Sequence, residues 1–269
     1  MSGFTPAHRG GKGPPLVCVH GFIDTWRTWE LVLPALEKKH EVLAPTLPGH
    51  AGGPAQPERL EDDTLVAGVE AAMDDAGWDT AHVVGNSLGG YVALQLAARG
   101  RARTVVALAP AGGWAEGEPL HEERLHHFAT LRELVRNAAP YADQIVASTE
   151  GRRRATLYTT VNFEHIPPDL LAHQIRGVAA CDGAEALMER ARRDGYRLDT
   201  ERITCPVRIV WGTEDALLNW PRMAVRYREA LPNADWVEMP GVGHSPQLDV
   251  PAETAELILG FIDQYTAGP

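Results

Sequence analysis

The stretch Gly85-Asn86-Ser87-Leu88-Gly89 constrains the fold of this chain more than any other. It follows Ala81-His82-Val83-Val84, an apolar run of strand length, and precedes Gly90-Tyr91-Val92-Ala93-Leu94-Gln95-Leu96-Ala97-Ala98, which reads as a helix. A chain that passes from strand to helix through so short a turn brings backbone close to positions 85 and 89. Side chains there would collide with the neighbouring strand and helix, and glycine has none. Ser87 is then expected in a strained backbone conformation, its hydroxyl clear of the sheet edge and at the positive end of the following helix.

Gly-x-Ser-x-Gly between strand and helix is the nucleophile-elbow pattern. Taken alone it is equally a glycine-rich turn, so the other parts of such a site decide. A nucleophilic serine needs a general base, a carboxylate to orient the base, and donors for an oxyanion. The acid candidate is Asp215, in the loop Gly212-Thr213-Glu214-Asp215 that leaves the strand-like Val207-Arg208-Ile209-Val210-Trp211. Glu214, one residue away, is a rival. The base candidate is His244, in Gly241-Val242-Gly243-His244-Ser245-Pro246 after the strand-like Asp235-Trp236-Val237-Glu238-Met239. Both leave carboxyl ends of strands, where open α/β sheets place their sites. Near the start, Leu16-Val17-Cys18-Val19-His20 runs into Gly21-Phe22. Such a strand end points the Phe22 N–H at the nucleophile, and the Leu88 N–H is the second oxyanion donor. His20 reads as a loop-bonding residue rather than a proton acceptor.

These stretches, with Pro45-Thr46-Leu47-Pro48-Gly49-His50, make the chain similar to members of the α/β-hydrolase superfamily of the compact esterase-like kind. The resemblance covers residues 14–110 and 204–265, in the right order. It implies a mostly parallel sheet covered by helices on both faces, a Ser87/Asp215/His244 triad and an inserted helical cap. One departure is that the early antiparallel hairpin usual in the family must be short or missing. Aspartate is expected at position 87 in the epoxide hydrolases and haloalkane dehalogenases that resemble this fold, and serine stands there. Gly-Asn-Ser-x-Gly-Gly resembles the elbow of meta-cleavage hydrolases, which split carbon–carbon bonds. The stretch Phe22-Ile23-Asp24-Thr25 lacks that group's glycine-rich run, so the resemblance favours ester hydrolysis. A small-ligand sensor with little turnover is the reading from a different class.

The formal net charge of −11 argues against nucleic acid or anionic membrane as partner. The expected partner is a small-molecule ester. Cys18, Cys181 and Cys205 are too scattered for a disulfide framework, and no phosphate-binding, dinucleotide or zinc-protease motif is present. No cofactor or metal is therefore expected. No signal-peptide-like or membrane-spanning run occurs, which makes a cytoplasmic location the expectation. His121, His126, His127, His165 and His173 share one segment without ligand spacing, and read as exposed or partly buried helix histidines.

Strands and helices alternate up to Pro110 and again from Thr204, the pattern of a parallel sheet. The stretch Trp26 to Lys39 reads as helical. Residues 111–203 contain no strand-like run, only helical stretches near 120–137, 140–149, 151–161, 168–180 and 184–194. The expected division is 1–110 with 204–269 as hydrolase core and 111–203 as cap. Trp114, Phe128, Leu131, Tyr141, Ile145, Tyr158 and Phe163 are cap candidates for core or pocket, with core favoured by their helical spacing. Arg152 to Arg154 and Arg190, Arg192 and Arg193 read as solvated helix faces, whereas Arg124, Arg132, Arg136 and Arg176 stand apart.

Overall fold

The computed structural model describes residues 3–57, 60–61, 63–113 and 120–266. A seven-stranded sheet runs through the molecule in the order β1-β3-β2-β4-β5-β6-β7. The strands are β1 (Ala7–Gly11), β2 (Pro15–Val19), β3 (Glu41–Pro45), β4 (Ala81–Asn86), β5 (Ala102–Leu108), β6 (Val207–Gly212) and β7 (Asp235–Met239). Only β1 is antiparallel to its neighbour, pairing Ala7 with Pro45 through Gly11 with Glu41. β1 thus forms one edge of the sheet.

Alternation along the strands divides the core. Val17, Val19, Val83, Val105, Ala107 and Ile209 face one side, packed with Leu65, Val66, Val69 and Met73 of α2 (Thr64–Asp75) and the apolar residues of α3 (Leu88–Ala98). Leu16, Cys18, Val84, Val106, Leu108 and Val210 face the other, against Leu33 and Leu36 of α1 (Leu33–Leu36) and Ile258, Phe261 and Ile262 of α11 (Pro251–Thr266). Successive strand residues point to opposite faces, so a strand apolar on both counts is buried on both.

The helix expected over 26–39 is broken into a 3₁₀ turn, Trp26–Trp29, and the single turn α1. Pro34 is the reason. It has no N–H for the carbonyl one turn back, but it fits the first turn of a new helix, where no such bond is made.

Between β5 and β6 lie α4 (Leu120–Ala138), α5 (Ala142–Val146), α6 (Thr149–Thr156), α7 (Pro168–Ala179) and α8 (Ala184–Asp194), and no strand among the described residues. Ala142, Val146, Ile166, Leu170, Leu171, Ala172 and Ile175 form their own apolar cluster, joined by Leu248. After β6 come α9 (Val225–Ala230), then β7, α10 (Pro246–Asp249) and α11. No helix among the described residues is long and apolar enough to cross a membrane.

Several histidines are folded into this core as neutral rings. Burial drives His20 and His40 down and brings His50, His82 and His173 down to about 4. In the unfolded chain each titrates near ~6.5, so below that pH the unfolded state binds more protons and stability falls as pH falls. Asp24 works the other way. Burial raises it to about 6, so on acidification it binds its proton in the folded state first. One carboxyl does not offset four or five imidazoles. A loss of roughly 2–4 kcal/mol between pH 6.5 and 5 is expected, discounted for solvent screening of the rings nearer the surface. Urea unfolding at both pH values checks it, and stability that is flat or rising on acidification contradicts it.

Candidate active site

Ser87 sits between β4 and α3 at φ 56° and ψ −118°. That conformation costs energy for a residue with a Cβ and persists only where the surroundings hold it. Here the Ser87 N–H donates to the Leu108 carbonyl at 2.8 Å, and the Ser87 carbonyl accepts from Ala111 at 2.9 Å and Tyr91 at 3.1 Å. The glycines do what the sequence implied. A Cβ on Gly85 would lie 2.1 Å from the Gly89 carbonyl oxygen, and one on Gly89 would lie 2.1 Å from that of Val19.

Asp215 and His244 are brought together. The His244 Nδ1 to Asp215 Oδ2 distance is 2.7 Å, and both side chains are buried. Asp215 Oδ1 accepts from the Leu217 N–H at 2.9 Å and the Leu218 N–H at 2.7 Å. The two backbone N–H groups occupy Oδ1, and Oδ2 accepts from the ring, so the ring proton belongs on Nδ1. Nε2 is left with its lone pair, buried and without a hydrogen-bond partner. Glu214, the rival acid, is exposed.

Ser87, His244, Phe22 and Leu88 line one cavity of about 740 Å³, beneath residues of α4, α5, α6, α7 and α8. This volume lies within the usual range for small-molecule sites. No hydrogen bond joins Ser87 Oγ to Nε2, and such bonds often tighten only when substrate binds. Leu88 opens α3, where its N–H has no acceptor inside the helix. His20 is a loop anchor. Its Nε2 accepts from the Leu47 N–H at 2.9 Å, which leaves Nδ1 to donate to the Gly21 carbonyl at 2.7 Å.

The loop carrying His244 is fastened from several sides, by Asn86 of the elbow and by Gln247 and Asp249, which no linear pattern marked. Asn86 Nδ2 donates to the Leu108 carbonyl at 3.2 Å and the His244 carbonyl at 3.0 Å. The Asn86 Oδ1 accepts from Gln247 Nε2 at 3.1 Å. Buried Asp249 accepts from the Gly243 N–H at 2.6 Å, the Val161 N–H at 3.0 Å and the Asn162 N–H at 2.7 Å. It thereby ties the histidine loop to the segment that follows α6.

Other expectations need correction. Arg190 is not on a solvated face: it is 3% exposed and lines the cavity, with Nη2 donating to the Gly195 carbonyl at 2.9 Å and the guanidinium over the Tyr196 ring. Helical spacing put it on a polar stripe, and the fold turned that stripe inward. Arg132 is also buried, donating to the Cys181 carbonyl at 3.3 Å. Leu131 and Tyr158 line the cavity, Phe128 and Ile145 both line it and pack against the apolar clusters, Tyr141 is exposed, and Phe163 packs with the helical cluster. His173 is buried, hydrogen-bonded to Thr25 Oγ1 at 3.1 Å. The side chains of Trp114, His121 and Arg124 lie outside the described residues. Asp24, unmarked in the sequence, is a carboxyl on the cavity wall. It accepts from the Thr25 N–H at 2.8 Å and from Gln174 Nε2 of α7 at 3.3 Å. Among the described residues no cluster of three metal-ligating side chains occurs.

The chain is similar to known hydrolases in sequence and in fold. Epoxide hydrolase EphH of Mycobacterium tuberculosis is 31% identical over 206 residues, spanning 76% of this chain and 96% of that protein. A 2-hydroxymuconate semialdehyde hydrolase of Pseudomonas sp. CF600 is 36% identical over 115 residues, 40% of each chain. Among solved structures, a thermophilic esterase from Thermogutta terrifontis superposes with a TM-score of 0.72 at 18% identity, covering 96% of this chain and 94% of its own. The sequence model of the alpha/beta hydrolase family matches residues 16–257, and on that match and this fold the chain belongs to the alpha/beta hydrolase family.

Proposed function

We propose that this chain is a serine hydrolase of carboxylic esters with small to medium acyl groups. The observation that carries the reading is the Asp215–His244 pair at 2.7 Å, whose free Nε2 shares a cavity with Ser87. His244 Nε2 takes the Ser87 proton as Oγ attacks the ester carbonyl. Asp215 keeps the proton on Nδ1 and stabilises the imidazolium. The N–H groups of Phe22 and Leu88 receive the developing oxyanion. Collapse of the tetrahedral adduct breaks the bond to the alcohol, which leaves with the proton from His244. Water, deprotonated by the same histidine, then releases the acid from Ser87. In this scheme α4 to α8 form a cap that limits water at the reacting carbonyl. Ser87, His244, Asp215 and two amides handle every proton and charge, so no metal or cofactor enters.

Epoxide hydrolysis suits Ser87 poorly. Ring opening by a serine oxygen leaves an alkyl ether, which has no carbonyl for water to attack. A carboxylate nucleophile leaves an ester, which has one.

Carbon–carbon hydrolysis is the second reading, and Arg190 favours it. A ring-fission dienoate carries a carboxylate, and a buried guanidinium on the cavity wall suits that charge. Comparing kcat/KM for p-nitrophenyl esters and for a ring-fission dienoate, on one preparation, decides. Esters are expected to be preferred. A dienoate preferred by more than about tenfold, or ~1.4 kcal/mol in transition-state binding, moves the chain to the second reading. No turnover of either class leaves a binding protein.

A further inference from the structure

The apolar wall of the cavity has a direction. On α4, Phe128, Leu131, Val135 and Ala138 line it, spaced by three, four and three residues along one helix face. On α7, Leu171, Ile175 and Val178 line it at spacings of four and three, with Gln174 beside them, three after Leu171 and four before Val178. Residues so spaced share a face, and the two helices pack on one another. Ile145 of α5 adds to the same wall.

One end of this strip is anchored at the oxyanion loop. The Phe128 ring meets the Phe22 ring edge-on, with centroids 6.3 Å apart. Gln174 reaches the same loop through Asp24 Oδ2. From Phe128 to Ala138 a rise of 1.5 Å per residue gives about 15 Å. A carbon–carbon bond of ~1.5 Å advances an extended chain by roughly 1.3 Å, so the strip holds at most about twelve carbons. Gln174 is the sole polar side chain on these two stripes, and its amide is engaged by Asp24. Leu134, which also lines the cavity, is 64% exposed, so the strip comes to the surface on α4. Other polar cavity residues lie off these stripes, Arg154, Thr156, Tyr158 and Thr159 on α6 and the segment after it, Arg190 and Tyr196 on α8 and the segment after it.

We infer that the strip between α4 and α7 is an acyl-chain channel leading from Ser87, and that the preferred substrates are esters of unbranched acyl chains of about eight to twelve carbons. This rests on the serine-esterase reading and names its substrate class. Each methylene that enters the channel leaves water, and burial of a methylene corresponds to at most about a fourfold gain in binding. Because the chain is bound in the transition state as well, the gain shows in kcat/KM.

The test is kcat/KM for p-nitrophenyl esters from acetate to palmitate, below their critical micelle concentrations. The expected profile rises at least thirtyfold from butyrate to a maximum at octanoate through dodecanoate. Val135→Trp, about two turns beyond Phe128, should shorten the channel and lower the decanoate-to-butyrate ratio at least tenfold. If that variant does not fold, competition stands in for it. Decanoate should inhibit butyrate hydrolysis by the wild type at concentrations where acetate does not. A profile that is flat or falls beyond butyrate, or a tryptophan variant that folds and keeps the wild-type ratio, overturns the channel while leaving the esterase reading in place. Absence of turnover on every ester, with no labelling of Ser87 by a fluorophosphonate, overturns the esterase reading itself.

Discussion

Ser87→Ala is expected to abolish ester turnover and leave the fold as it is. The Ser87 backbone is held by its hydrogen bonds to Leu108, Ala111 and Tyr91, none of which uses the hydroxyl. Alanine keeps the Cβ and inherits the same strained conformation, so the change in stability should stay within about 0.5 kcal/mol. What disappears is the nucleophile. The remaining rate should be no more than ~10³–10⁴-fold above that in water, the share of an oxyanion hole and binding. Rate measurements with thermal unfolding check both halves, and a fluorophosphonate should mark the wild type at Ser87 and not the variant. Undiminished turnover in Ser87→Ala removes Ser87 from the mechanism.

Asp215→Asn is expected to lower kcat by up to about 10⁴-fold, with KM and fold little changed. The geometry dictates how. Oδ1 is claimed by the N–H groups of Leu217 and Leu218, so the amide oxygen of asparagine must stay there. The NH₂ group then faces His244 Nδ1, which must accept, and the ring proton moves to Nε2. A protonated Nε2 cannot take a proton from Ser87. Glu214→Gln, on an exposed side chain, should change kcat less than about threefold. If the glutamate substitution is the more damaging one, Asp215 is not the acid.

The sheet and the order of candidate residues were legible because each rests on local chemistry. Two glycines flanking Ser87 report backbone so close that an added Cβ would lie 2.1 Å from a carbonyl oxygen. Apolar runs of strand length report burial on both faces, and loops after strands report the sheet edge where sites form. β1 was not legible, because it is mostly exposed, with the pattern of an edge strand rather than a buried one.

The helical region was legible as helices but not as a cavity. A period of three and four residues marks one side of a helix, and that side looks alike whether it meets another helix or an empty space. Leu131 therefore read as core and lines the cavity, while Phe128 and Ile145 serve as packing and lining at once. Arg190 read as solvated because it stands among charged neighbours, yet α8 turns it inward.

By itself the sequence determined the strand–turn–helix geometry at Ser87, the parallel sheet, and which residues could meet at its edge. These follow from steric exclusion and apolar burial, which act between near neighbours in the chain. Only the tertiary structure decided that Asp215 rather than Glu214 faces His244 and that Asn86 and Asp249 fasten the histidine loop. It also decided that Asp24 and Arg190 stand on the cavity wall. Those placements depend on where loops far apart in the chain come to rest, as Asn86 and His244 do across 158 residues. Distance of that kind leaves no periodic trace, because a buried polar side chain is specified by the partner that satisfies it and not by its neighbours in sequence.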